Sequence, residues 1–189
     1  MTSAVLQALR AATHHLHKAL DVRLDLPDRL IDLSARRAMV RRFGGFQAGI
    51  ERALGDHLDR VSDLQLGRRR RAQRFAGDLA ALGGPNTSPA PICPIPRATS
   101  KGEALGLLYV GEGSTLGGKM IAKALAARGA SMRGLGFLDP YGDDTGSMWR
   151  GFLAVLEREG TARPDRIVAG AVMGFTHAIA WVCEAEAPA

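Results

Sequence analysis

The chain is poor in cysteine, with Cys93 and Cys183 alone in 189 residues and far apart. Neither belongs to a C-x-x-C pair, which excludes a zinc ribbon, dithiol redox chemistry and a disulfide scaffold. No window reaches the uninterrupted apolar length of a membrane span, so no membrane association is expected. The start, MTSAVLQALRAATHH, lacks the basic opening, long apolar centre and cleavage site of a secretory signal, and a cytoplasmic protein is expected. No Glu-x-x-His occurs, which removes the di-iron helical bundle. Aromatic residues are only 5% of the sequence, and none interleaves with the arginine run Arg68 to Arg71 and Arg74. Stacking on single-stranded nucleic acid is therefore not expected, and the run reads first as a solvated helix face.

What is present is helical periodicity at a length suited to one core. With 189 residues, 46% hydrophobic and 23% charged, a single domain over 1–189 is expected. Residues 3 to 25 set Val5, Leu6, Leu9, Ala12, Thr13, Leu16, Leu20 and Leu24 on one helical stripe that stops before Pro27. Ser34 suits the N-cap of a second helix, interrupted or bent at Gly44 and Gly45, and RRAQRFAGDLAAL forms a third. The proline-dense PNTSPAPICPIPRA is a connector. Ser100 to Glu103 has capping-box spacing and opens a helix ending near Gly129. A helix over GSMWRGFLAVLERE and a last one with Pro164 in its first turn complete about six helices and no convincing strands. The fold class is all-α.

Two stretches carry chemistry. The first is LGLLYVGEGSTLGGKMIAKAL, whose glycines each cost about 1 kcal/mol in a helix interior relative to alanine. Gly113 and Gly117 share a face, where missing side chains admit either another helix or a flat, bulky ligand. GSTLGGKM nearly spells a phosphate loop, but Met120 stands where the magnesium-binding hydroxyl belongs, and no parallel sheet accompanies it. GEGSTLG likewise lacks the strands of a dinucleotide site.

The second is ATHHLHKALD, which places three of the five histidines near one turn. His17 borders the apolar stripe, whereas His15 points about 160° away at 3.6 residues per turn. Asp21, four residues on, can accept a hydrogen bond from one ring nitrogen and leave the other free for a metal. Arg10 returns to the same face. The plainer alternative is a hydrogen-bonded histidine among ordinary charges; a zinc site of His14, His17 and Asp21 lacks a clear further ligand.

Thr13-x-x-x-His17-x-x-x-Asp21 on the first helix, followed by the GEGSTLGGKM helix, resembles the haem oxygenases. The likeness is greatest to the short bacterial kind associated with bacteriophytochromes, and MWRGFLAVLE and RIVAGAVMGFTHAIAW resemble the family's last helices. The resemblance implies a helical bundle with haem between the first helix and a kinked distal helix. It implies His17 as proximal iron ligand, Asp21 as its orienting acid, and Gly113, Gly117 and Gly118 as distal backbone over the iron. Arg10, Arg150 and Tyr109 fall at propionate positions, and Phe175 at a pocket aromatic. Ser114 stands where many members carry a distal aspartate. The implied reaction opens haem to biliverdin, iron and carbon monoxide, with oxygen and electrons from a ferredoxin or flavin/NADPH reductase. An acidic donor could dock on the arginine run, and a bacteriophytochrome could receive the product; a haem carrier of the same fold is the alternative. Cys93-Pro94 also resembles a haem-responsive element, though a structural cysteine in a connector is the first reading.

Overall fold

A computed structural model describes residues 4–83 and 91–183. Seven α-helices follow in order: α1 Ala4–Leu24, α2 Leu33–Ala53, α3 Leu66–Arg69, α4 Arg74–Leu82, α5 Lys101–Ala127, α6 Thr145–Gly160 and α7 Pro164–Val182. Short 3-10 turns lie at Asp28–Leu30, Gly136–Leu138 and Gly142–Asp144, and no strand occurs among the described residues. The all-α expectation holds. No helix of the described residues is long and apolar enough to cross a membrane.

Capping explains most boundaries. The α5 N-terminus is fixed by Ser100, whose side chain accepts from the Glu103 amide at 3.2 Å, while the Glu103 carboxylate takes the Thr99 amide and hydroxyl at 2.8 Å each. Gly129, with φ +69°, ends the helix as its backbone freedom allows. Pro164 occupies the first turn of α7. The cap of α2 is Asp32, not Ser34: its carboxylate accepts from the Ala35 amide at 2.7 Å. That earlier start reflects the stronger acceptor lying two residues upstream.

The expected break at Gly44 and Gly45 does not occur, because α2 runs unbroken from Leu33 to Ala53. These glycines serve packing. A methyl on Gly44 would lie 3.0 Å from the Phe75 Cβ of α4, and one on Gly49 would lie 2.6 Å from the Cys93 carbonyl oxygen. The connector lies along this surface, with the Cys93 amide donating to the Gly45 carbonyl at 3.0 Å and the Ala98 amide to the Ala53 carbonyl at 2.8 Å. Cys93 is buried, and burial pushes its thiol up to about 11, so it stays an unreactive core residue. The earlier part of the connector, 84–90, lies outside the described residues.

The closest helix pair is α5 against α7. A side chain at Gly106 would overlap the Ile167 carbonyl oxygen, and one at Gly170 would overlap the Glu103 carbonyl oxygen. Backbone therefore rests on backbone, and Leu105, Leu107, Ile167 and Ala171 are fully enclosed around the crossing. The N-terminal half of α5 is thereby anchored, which fixes where its C-terminal half passes.

Hydrogen bonds at the start of α5 hold the Glu103 carboxyl below its ordinary pKa of 4.5. A depressed folded pKa gives stability that is present above the unfolded value and lost as pH falls through the folded one. Thermal unfolding of wild type and Glu103→Gln should thus differ at neutral pH and converge as the pH is taken well below the ordinary 4.5 of a glutamate. A difference that persists in acid would show that charge is not what the cap uses.

Candidate functional site

Helical stripes from five elements converge on one cavity of about 560 Å³. α1 contributes Arg10, His17, Leu20, Asp21 and Leu24; α2 contributes Phe43, Phe46 and Gln47; α4 contributes Arg74 and Phe75. α5 contributes Tyr109, Gly111, Gly113, Ser114, Gly117 and Ile121, and α7 contributes Phe175, Ala178 and Val182. Within the α1, α2 and α7 sets the spacing is that of a single helix face, whereas the α5 residues spread around more than half of their helix. Of ten aromatic residues in the chain, seven line this space: Phe43, Phe46, Phe75, Tyr109, Phe137, Trp149 and Phe175.

On the α1 wall the His17 ring stands edge-on to Phe175, with ring centres 5.6 Å apart and planes at 76°. Its Nδ1 lies 3.0 Å from Asp21 Oδ2. A carboxylate at Nδ1 selects the tautomer whose Nε2 lone pair is free to ligate. The ring is 60% exposed, so it stands at the cavity rather than among the leucines of the core. Thr13 is buried and donates its hydroxyl to the Leu9 carbonyl of its own helix at 2.7 Å. His15 is exposed, as its helical position requires. No group of three or more His, Cys, Asp or Glu able to hold a metal occurs among the described residues, which removes the zinc alternative.

Across the cavity, the glycines of α5 divide by function. A Cβ added at Gly113 or Gly117 would meet no atom within 4 Å, so both present bare backbone to the space. Gly118 lines the same wall, but a Cβ there would overlap the Leu138 carbonyl; this glycine also admits the 3-10 turn that closes one end. Asp78 holds that turn by accepting from the Gly136 and Phe137 amides at 2.9 Å each. Phe137 then packs between Phe43 and Phe75, each 5.3 Å away centre to centre.

Ser114 faces the cavity, yet its hydroxyl donates to the Gly111 carbonyl at 2.7 Å. Its proton is thus spent on its own helix, and toward the cavity it offers acceptor capacity. The Gly111 carbonyl also accepts from Arg71 Nη2 at 2.8 Å. A carbonyl drawn to two side chains is the kind of site at which a helix bends.

Two arginine expectations change. Arg150 is exposed and does not line the cavity; Trp149, its neighbour on α6, takes the inward position, and one residue is about a 100° turn. Arg74 lines the wall in its stead and donates to the Pro140 carbonyl at 2.5 Å. The run Arg68 to Arg71 is no solvated face. Arg69 and Arg71 are buried, while exposed Arg68 and Arg70 pair with Asp144 and Asp59 at 2.6 Å and 3.0 Å. Arg10 stays at the cavity beside the Tyr109 hydroxyl, whose pKa is pushed up by burial against the opposing pull of Arg10. Tyr109 in turn contacts the Trp149 ring at 5.9 Å.

Gln47 was not singled out from sequence, and Arg71 only as the end of the arginine run; both line the wall near Gly111, where Arg71 donates to the Gly111 carbonyl and to the Gln47 amide oxygen. The only sequence signal was an arginine run broken by short helices, which leaves the direction of each side chain open.

The haem oxygenase family model, described as Heme oxygenase, matches residues 3–184. The chain belongs to the haem oxygenase family. A curated heme oxygenase of Xanthomonas campestris pv. campestris (strain 8004) is 35% identical over 150 residues, covering 78% of this chain and 88% of that protein. No solved structure gives a significant match. The cavity between α1 and α5 has a histidine on one side and bare helix on the other.

The glycine division is testable without ligand. Gly118→Ala should destabilise the fold by about 1–3 kcal/mol through overlap with Leu138. Gly117→Ala should be neutral or stabilise by up to about 1 kcal/mol through helix propensity. Urea unfolding of both variants decides it; equal effects would sink the distinction.

Proposed function

We propose that the protein cleaves haem oxidatively to biliverdin, iron and carbon monoxide, using oxygen and external electrons. Family membership supports haem degradation in general. The observation that carries the finer reading is the pairing of His17, its Nδ1 engaged by Asp21, with the open backbone of Gly113 and Gly117 across the cavity.

In this reading His17 would hold the iron through Nε2, while Asp21 at its Nδ1 would raise its basicity and fix its plane. Haem, when bound, would supply the iron at which oxygen is activated, with a histidine rather than a thiolate as its protein ligand. Arg10 and Tyr109 lie where a propionate can be met by a cation and a hydroxyl. Phe175, Trp149 and Phe137 line the cavity, where they would exclude water and offer aromatic surface to a flat ring. Arg71 and Gln47 order water beside α5 and so take over the proton-holding task for which Ser114, its own hydrogen donated to Gly111, is unsuited. In this role Arg71 acts by orienting water through its guanidinium donors.

Electrons in this reading come from a ferredoxin or a flavin/NADPH reductase, and a bacteriophytochrome is a fitting recipient of the product. Because Arg69 and Arg71 are buried and Arg68 and Arg70 paired, an acidic donor would find its contacts elsewhere than on that run.

Titrating the purified protein with haem should give a sharp Soret band that His17→Ala shifts or abolishes. Reductant and oxygen should then bleach that band and yield a green product with the mass of biliverdin. A ligated, oxygen-binding complex that survives many reduction cycles would make the protein a carrier and end the enzymatic reading.

A further inference from the structure

Behind the cavity wall lies a buried charged cluster that the proposed chemistry does not use directly. Glu112 is 1% exposed, on the face of α5 turned away from the cavity lining. One carboxylate oxygen pairs with Arg69 Nη1; the other accepts from the Tyr141 hydroxyl at 2.8 Å and lies 4.0 Å from Arg71 Nη2. Arg69 is itself fully enclosed, donating to the Met148 carbonyl at 3.0 Å and the Leu64 carbonyl at 2.5 Å. The Tyr141 ring packs under the Arg71 guanidinium, with Cζ 5.3 Å from its centre.

The other side of Arg71 is held as firmly. Glu51 accepts from the Arg71 and Ala72 amides at 2.5 Å and 2.8 Å, and from Gln47 Nε2 at 2.9 Å. That turns the Gln47 amide oxygen toward Arg71 Nη2, at 3.4 Å. Arg71 Nε is buried with no hydrogen-bond partner among the described residues. A guanidinium kept in such a place must be held there by its surroundings.

We propose that Glu112 is a positioning residue: through the Tyr141 ring and its own buried charge it holds the Arg71 guanidinium against the Gly111 carbonyl, on the α5 wall that also carries Gly113 and Gly117. Glu112 touches nothing in the cavity, so its effect on a bound substrate passes through Arg71. This rests on the haem-cleaving reading for its consequence but not for the geometry. Arg69 has the separate task of neutralising the carboxylate, since an unpaired buried charge would be far more costly than a paired one.

The ligand-free protein supplies the first test. Side-chain nitrogen NMR should show slowly exchanging Arg71 guanidinium protons, assigned by their loss in Arg71→Met. Tyr141→Phe and Glu112→Gln should each broaden or remove those signals, and Glu112→Asp should partly restore them. Tyr141→Phe loses one hydroxyl and keeps the ring, so it answers the question even where Glu112→Gln fails to fold.

The second test is a cycle on haem turnover followed by loss of the Soret band. Tyr141→Phe and Arg71→Met should each slow turnover roughly three- to tenfold and leave haem affinity within about twofold, and the double variant should be no slower than Arg71→Met alone. Multiplying effects, or Arg71 signals untouched by both cluster variants, would overturn the proposal. If wild type binds haem without consuming it, the haem-cleaving reading fails while the NMR result still decides the positioning claim.

Discussion

Backbone contact between α5 and α7 is the constraint from which the site follows. Gly106 and Gly170 let the two helices meet without side chains between them, so the first half of α5 has no freedom to shift relative to α7. The second half then projects past α1 at a separation set by that crossing. Glycines recur there for a different reason, since Gly113 and Gly117 face open space. One helix thus uses the same residue type to close a core contact and to keep a cavity open. Each glycine costs helix propensity, and the packing of the first group offsets a cost that the second group carries for binding.

The buried charges are arranged to the same end. Arg69, Glu112, Arg71 and Glu51 link the short α3–α4 segment to α2, α5 and α6, and every one of these contacts is to a group that must not move if the wall near Gly111 is to keep its shape. A buried ion pair is poor evidence for net stability, because desolvation consumes most of the attraction. Its value here is geometric: it fixes a cation at a place where apolar packing alone would put none. Arg36, buried and bonded to the Leu30 and Ser131 carbonyls at 2.6 Å and 2.7 Å, does a comparable job between α2 and the loop after α5.

Much of this was legible in the sequence because periodicity and capping are local. The stripe of α1, the Ser100 cap, the stop at Gly129 and Pro164 in the first turn of α7 all follow from near neighbours along the chain. His17 with Asp21 was legible for the same reason, being one turn apart on one helix. What escaped depends on contacts remote in sequence. Gly44 reads as a helix breaker until Phe75 is seen against it, and Gly118 reads like Gly117 until Leu138 is placed. Arg150 and Trp149 are adjacent, and only the orientation of α6 decides which faces inward. The arginine run misled most: a net charge of +6 suggests a basic surface, yet Arg36, Arg42, Arg69 and Arg71 are all buried.

The gathering of seven of the ten aromatic rings around the cavity has a consequence for selectivity. The bundle's own interior is built mainly from aliphatic side chains, which have no preference for planar neighbours, and of its phenylalanines Phe46, Phe75 and Phe175 also line the cavity while Phe152 does not. Tetrapyrrole-sized guests with extended π-surfaces find quadrupolar partners only here, since stacking and edge contacts reward flatness in a way aliphatic packing does not. A scarce residue type, concentrated in one place, therefore separates the affinity of the protein for itself from its affinity for a disc-shaped molecule.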